Sequence, residues 1–287
     1  MTNLIDQNLS LPPGLYVVAT PIGNMRDITL RALDTLNAAD EIACEDTRVT
    51  GKILSGYAID TRMTRYDDHA GGKARDGLIA RLKNGAAIAL VSDAGLPAIS
   101  DPGYKLVQAC IEEDITVTVI PGANAALTGL VLSGRPTDRF LFAGYLPPKQ
   151  SQRTKALKSI ASVPASLIFY ESAKRLAASL ADMAAVLGDR PAAVARELTK
   201  LHEELRRDSL SGLAAHYDAA GAPKGEIVVI VDAPEENADL TGEAVDALLA
   251  ELLTNLSVRD AAREAAARTG RPRKSLYDRA LHLTKDT

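Results

Sequence analysis

The chain has 287 residues, 46% of them apolar and 24% charged, with a formal net charge of −4. That length suits roughly two domains with real cores, and the acidic balance excludes a protein that simply coats nucleic acid with positive charge. The longest unbroken apolar run, Ala86 to Val91, is far short of the ~20 residues that cross a bilayer. In chain order, Leu15 to Ala19 reads as a buried strand that ends in Thr20-Pro-Ile-Gly-Asn24. Thr29 then caps a helix whose Leu30, Leu33 and Leu36 share one face. Glu41 to Cys44 reads as a strand and Gly77 to Lys83 as the end of a helix. Ala86 to Val91 is apolar enough to be covered on both faces. Tyr104 to Glu113 reads as a helix, Thr116 to Ile120 as a strand and Ala123 to Leu132 as a helix. Alternating strands and helices with buried strands predict a parallel sheet.

Ser133-Gly-Arg-Pro136 punctuates the chain, and a second α/β pattern follows. Strands are expected at Phe140 to Gly144, Ser166 to Tyr170, Ala192 to Arg196 and Glu226 to Val231, and helices at Ser151 to Ala161, Ala173 to Leu187 and Ser209 to Tyr217. Asp232 to Asp239 reads as an acidic linker. Only helices are expected beyond it: Thr241 to Thr254, Ser257 to Arg268 and Pro272 to Leu283. Ser257 and Asp260 form a capping-box pattern with Asp in place of Glu. Gly270-Arg-Pro272 makes a short turn, which suits a helix-turn-helix. The expected domains are therefore 12–133, 134–234 and 235–287.

Charge is unevenly spread. Arg139 to Tyr170 holds Arg139, Lys149, Arg153, Lys155 and Lys158 with no acid, whereas 235–258 holds six acids and no Lys or Arg. From Arg259 onward the chain is again rich in arginine. Such blocks are commonly solvated faces, but two basic ones around an acidic one also suit a polyanion partner. Cys44 and Cys110 are too few for a disulfide framework, and no histidine has metal-ligand spacing. A reducing cytoplasm is expected. Met1 to Ser10 has neither a basic start nor an apolar stretch, so secretion is not expected.

Ligands of an open parallel sheet bind at the carboxyl ends of its strands. Three stretches there stand out: Ala19 to Asn24, Ser92 to Gly103 and Pro121 to Ala125. In the second, Gly95 and Gly103 permit close backbone approach, and Asp93 and Asp101 offer carboxylates to ribose hydroxyls or an amino group. The third opens a helix with small residues, where a flat ligand fits at the helix N-terminus.

Taken together, LYVVATPIGN, CEDTR at 44–48, SDAGLPAISDPG at 92–103, PGANAALTGLVLSG at 121–134, FLFAGYLPPK at 140–149, IFYESAKRL at 168–176 and RELTKLHEE at 196–204 resemble one family. It is the ribosomal RNA small-subunit methyltransferase I family of the tetrapyrrole methylase superfamily. The resemblance runs in order from about Leu15 into the C-terminal helices. It implies a first α/β domain with a mainly parallel sheet, a second with a mixed sheet, and a small helix-turn-helix-like module. It also implies S-adenosylmethionine folded between the two α/β domains, a homodimer, and 2′-O-methylation of a cytidine ribose in the decoding region of 16S ribosomal RNA, on the RNA or the 30S subunit. The first loop is poorer in glycine than in the wider superfamily, and the usual Gly-Asp-Pro stands here as Ser92-Asp93-Ala94.

The resemblance places cofactor contacts at Pro21, Ser92, Asp93, Gly95, Ile99, Gly122, Ala125 and Tyr170. The sulfonium methyl is already activated, so no metal is expected. A ribose hydroxyl must shed its proton as it attacks, and Glu45, Glu171, Glu197 and Lys200 are the candidate catalytic groups, with Asp46 beside them. Glu171 with Arg175 is equally an i, i+4 ion pair, and Arg196 with Glu197 equally a brace. Arg48, Lys149, Arg153, Arg175 and Arg196 are the candidate phosphate contacts. Two other readings fit: a superfamily enzyme acting on a tetrapyrrole or protein, and a non-catalytic RNA-binding assembly factor.

Overall fold

Short strands buried from end to end organise the first half of the chain. In the computed structural model, which describes residues 9–67, 72–234, 242–269 and 271–284, they are β1 (Gly14–Val18), β2 (Glu41–Cys44), β3 (Met63–Arg65), β4 (Ala87–Val91) and β5 (Val117–Ile120). All pair in parallel in the order β3-β2-β4-β1-β5. Alternate residues face opposite layers. Tyr16, Val18, Ile42 and Ala89 pack with Leu33 and Leu36 of α1 (Leu30–Ala38). Leu15, Val17, Ile88 and Leu90 pack with Leu78 of α3 (Gly72–Lys83) and Leu106 of α4 (Tyr104–Glu112). Thr29 caps α1 as expected, accepting a 3.1 Å bond from the Ala32 N–H. Two elements escape the sequence pattern. Helix α2 (Thr47–Gly56) opens on Thr, Arg, Val and Thr, poor helix signals that the Asp46 cap overrides by accepting from Arg48 N–H at 2.8 Å. Strand β3 is three residues long and partly exposed.

The second sheet contains β6 (Phe140–Tyr145), β7 (Ser166–Ser172), β8 (Pro191–Arg196), β9 (Glu204–Ser209) and β10 (Glu226–Val231) in the order β6-β7-β10-β8-β9. Only β6 and β7 run parallel, so the sheet is mixed. Its edge strand β9 (ELRRDS) is partly exposed and lacks an apolar run, so the sequence pattern does not reveal it. One face packs against α6 (Gln150–Ile160), α7 (Leu176–Leu187) and α8 (Leu210–Ala220) through Leu157, Phe169, Leu180, Met183 and Leu213. Helix α5 (Ala125–Ser133) covers the other face, seating Ala126 and Leu130 on Ile168, Ala195, Val228 and Ile230. A Cβ on its Gly129 would lie 3.2 Å from Val228 Cγ1, so the glycine lets this helix sit close to the sheet. The first helical turn of the expected Ala173 to Leu187 helix is a 3-10 turn over Ala173–Arg175.

Both sheets belong to one compact unit, Met1–Ala233, and Pro234–Thr287 forms another. The second is a bundle of α9 (Gly242–Leu253), α10 (Val258–Thr269) and α11 (Arg273–Leu283). Its own core joins Val245, Leu249, Ala261, Ala265 and Leu276, and Arg279 donates to Asp246 at 2.9 Å. Ser257 accepts from the Asp260 N–H at 3.2 Å and donates its hydroxyl to the Asp260 carboxylate at 2.7 Å. Most of the acidic linker, together with Gly270 and His69, lies outside the described residues.

Candidate active site

The three stretches singled out in the sequence meet at the carboxyl edge of the parallel sheet. Thr20 and Gly95 exchange backbone hydrogen bonds of 2.9 and 3.1 Å, which ties the loop after β1 to the loop after β4. Gly95 adopts φ +82, and a Cβ there would press on Ile22 at 3.3 Å. Gly122 lets the third loop approach β1, since its Cβ would stand 2.8 Å from that of Ala19. Asn124 caps α5 by accepting from Leu127 N–H at 3.0 Å. The stretch from Ser92 to Gly103 carries backbone strain at two non-glycine residues, Ala98 (φ 68) and Ser100 (φ 63). Such strain is held only where the surroundings over-determine it. Here Ser100 Oγ would lie 3.1 Å from a Cβ on Gly144, within the irregular stretch of β6.

These loops border a partly open cavity of about 150 Å³. The first sheet contributes Ile22, Asp93, Gly95, Ile99, Asp101 and Ala125, and the second contributes Tyr145, Tyr170, Leu198, Glu226 and Val228. Three carboxylates and no Lys, Arg or His are among the lining residues. Burial, then the nearby Glu45 charge, pushes Asp101 up to about 6, against a hydrogen bond from Ser92. Burial also raises Asp93 and Glu45. Tyr170 rises to about 12, chiefly through burial, and its ring meets Tyr145 and Phe142 edge-on at 5.6 and 4.9 Å.

The comparisons place the chain. Residues 14–214 match the family model described as Tetrapyrrole (Corrin/Porphyrin) Methylases, and residues 238–284 match the RsmI C-terminal HTH domain. Relatives named ribosomal RNA small subunit methyltransferase I are similar along nearly their full length. The Mesorhizobium japonicum protein is 52% identical, covering 96% of this chain and 94% of its own. The Escherichia coli O157:H7 protein is 45% identical, covering 93% and 94%. The chain belongs to the ribosomal RNA small subunit methyltransferase I family. It is a methyltransferase of the tetrapyrrole methylase fold. Among solved structures of that fold, diphthine synthase superposes with a TM-score of 0.59 at 16% identity, covering 76% of this chain and 89% of its own. A uroporphyrin-III C-methyltransferase from Thermus thermophilus, complexed with S-adenosyl homocysteine, gives 0.53 at 18%, covering 76% and 97%.

The family's cofactor is S-adenosylmethionine, and the cavity suits it chemically. Its sulfonium and ammonium charges match a wall with three carboxylates and no cation, and its adenine ring matches the apolar side chains Ile22, Ile99, Leu198 and Val228. Of the contacts expected from the sequence, Asp93, Gly95, Ile99, Ala125 and Tyr170 line the cavity. Pro21, Ser92 and Gly122 are not among the lining residues; Ser92 is buried, with its hydroxyl turned to the Ala94 carbonyl at 3.3 Å.

The catalytic candidates of the family motifs separate clearly. Glu171 has no exposed side-chain surface and is bound by Arg175 at 2.6 Å, Ser179 at 2.5 Å and the Ser172 N–H at 2.7 Å. With its oxygens so engaged it is not a proton acceptor, and the expectation is corrected in favour of the i, i+4 pair. Arg175 in turn donates to the Leu146 carbonyl at 3.1 Å and so holds the end of β6. Lys200 bridges Glu197 and Glu226, both at 2.8 Å. Its hydrogen bond holds Glu197 below its ordinary value. Burial works to lower the Lys200 ammonium, but the two carboxylates lift it above its ordinary value. Neither group is therefore poised as a base. Glu45 follows β2 and is not among the lining residues.

The phosphate candidates are sorted by burial. Arg153 is buried and paired with Asp182 at 2.5 Å. Arg196 is committed to Glu204 at 3.0 and 2.8 Å and to the Lys224 carbonyl at 3.0 Å. With Arg175, these are structural cations, which corrects the sequence expectation. Lys149, before α6, is exposed, and so is Arg48, with 87% of its side-chain surface open while it pairs with Asp46. Sequence reasoning overlooked Tyr145, Leu198 and Glu226. Tyr145 and Leu198 lie inside quoted motifs, a usable signal. Glu226 had none: antiparallel pairing of β10 with β7 and β8 brings it to the cavity. Among the described residues no His, Cys, Asp and Glu cluster suits a metal, and no helix is long and apolar enough to cross a membrane.

Proposed function

We propose that this enzyme transfers a methyl group from S-adenosylmethionine to the 2′-hydroxyl of a cytidine ribose in the decoding region of 16S ribosomal RNA. The observation that carries the reading is identity of 45–54% to relatives named ribosomal RNA small subunit methyltransferase I over at least 93% of this chain. The bound cofactor supplies an electrophilic methyl on sulfur. The chain must align the hydroxyl with it, exclude water and take the hydroxyl proton. Asp93, Asp101 and the apolar wall hold the cofactor, while Tyr145 and Tyr170 offer flat faces beside it. Exposed Arg48 and Lys149 provide phosphate contacts. The helical unit adds a second RNA contact through Arg263 and Arg268, whose side chains are at least half exposed. The acceptor is 16S ribosomal RNA, free or within the 30S subunit, and the enzyme acts as a homodimer in the cytoplasm. We read the two sheets as domains 12–133 and 134–234 packed within one compact unit.

Incubating the protein with methyl-labelled cofactor and either 30S subunits or naked 16S RNA tests this directly. Label is expected at one cytidine of the subunit, in a linkage that resists alkaline hydrolysis because the 2′-oxygen is blocked. Label on a base, or none with the cofactor still bound, overturns the reading.

A further inference from the structure

We propose that Tyr145 is the stacking platform for the base of the nucleotide whose ribose is methylated. The inference rests on the ribose-methylation reading and names the side chain that holds the acceptor nucleotide in place. Tyr145 and Tyr170 are the aromatic residues among those lining the cavity, and they differ in how much of each ring is open. Tyr170 is boxed in, with Phe142 and Tyr145 edge-on to it at 4.9 and 5.6 Å. Tyr145 is 57% exposed. An edge-on contact covers at most one face of a ring, so the exposed Tyr145 keeps a face for a ligand.

The backbone under this ring is clamped on both sides. Pairing of β6 with β7 slips by one residue between Phe142 and Gly144, and such a bulge re-aims the side chains around it. Gly144 takes φ +61, and Ser100 Oγ of the loop after β4 would stand 3.1 Å from a Cβ there. On the other side of Tyr145, Leu146 is buried in the core of the second sheet, and its carbonyl accepts from Arg175 at 3.1 Å. Glu171 fixes that arginine at 2.6 Å. A flat, solvent-facing ring is thus presented from an ordered backbone, and little conformational freedom is lost when a ligand settles on it.

The reaction supplies the occupant. A ribose that must enter a cavity carries its own base out of the RNA stack, as happens with bases that enzymes modify. Splayed bases of single-stranded RNA are held chiefly by stacking on aromatic side chains. The adenine of the cofactor has the apolar side chains Ile22, Ile99, Leu198 and Val228 to rest on, which leaves Tyr145 to the acceptor. A base stacked there keeps its ribose beside the cavity that the same ring lines.

The test uses 30S subunits reconstituted with 16S RNA that carries either cytidine or an abasic ribose at the nucleotide labelled by the wild-type protein. With S-adenosyl homocysteine present, the wild type should bind the cytidine subunits at least roughly 10-fold more tightly than the abasic ones. Tyr145→Leu should bind the two kinds alike, within about twofold, whereas Tyr145→Phe keeps the ring and should keep the preference. Single-turnover methyl transfer to the cytidine subunits should fall by roughly 10- to 100-fold in Tyr145→Leu and recover in Tyr145→Phe. S-adenosyl homocysteine affinity, measured by calorimetry without RNA, should change by less than about threefold in Tyr145→Leu, which also verifies folding. Wild-type protein that does not discriminate between the subunits overturns the assignment, and so does a preference that survives Tyr145→Leu. Cofactor affinity lost in step with the rate overturns it too, and gives the ring to the adenine. Wild-type protein that labels a base or nothing defeats the ribose reading itself, before any variant is compared.

Discussion

Two junctions of the molecule bury carboxylates and use them in opposite ways. At the end of β7, Glu171 is surrounded by donors: Arg175, Ser179 and the Ser172 N–H. In the loop after β4, the half-buried Asp101 sits among other acids, and burial raises it to about 6. The first arrangement satisfies a charge and anchors backbone. The second leaves a charge under-compensated. Burial with donors satisfies a carboxylate, whereas burial among other acids raises its pKa.

The contrast breaks most visibly if the anchor is removed. Glu171→Ala leaves Arg175 partly buried without its carboxylate, and urea unfolding should show a loss of about 3 kcal/mol. A loss below about 0.5 kcal/mol would place Glu171 among ordinary surface acids. Gly103→Ala should cost about 2 kcal/mol, because a left-handed backbone and a 2.8 Å approach to Leu90 both oppose a methyl group. It should also weaken cofactor binding by displacing Asp101, which a Leu90→Ala partner substitution cannot repair, since φ stays positive.

Asp101→Asn sharpens the contrast with the opposite sign. The carboxyl titrates near 6 in the folded chain against 3.8 when exposed, so the native state holds the extra proton between those values. Stability therefore falls as pH rises through that window. The asparagine variant escapes this cost. Thermal unfolding should find it more stable at about pH 7.5, by on the order of 1 kcal/mol after allowance for solvent screening, with the gap closing by about pH 4. A variant less stable than wild type at neutral pH would mean that Asp101 is satisfied, as Glu171 is. The smallest effect is expected on the helical unit. Glu264→Ala removes an exposed i, i+4 pair with Arg268 and should shift stability by only about 0.3 kcal/mol.

Much of this was legible in the chain. The strands at Leu15, Ile42 and Ile88 are apolar because helices cover both faces, and period and capping alone locate them, as Thr29 shows for α1. The loops that meet at the cavity were equally visible, because glycines and carboxylates directly after buried strands serve little structural purpose. The elements missed lack such pressure. The edge strand β9 leaves Arg206, Arg207 and Asp208 exposed, and Thr47, Val49 and Thr50 at the start of α2 are β-branched residues that its Asp46 cap offsets.

Sequence by itself determined the local elements, the family and the chemistry of the cavity loops, since each depends on residues close together in the chain. Tertiary structure decided which charges are free. Arg153 and Arg196 look like phosphate ligands until Asp182 and Glu204, 29 and 8 residues away, claim them. Glu171 looks like a base until its donors are counted, and Glu226 looks free until Lys200 pairs with it. Charge availability is a property of neighbours in space, set by burial and pairing, and the linear order of residues does not encode it directly.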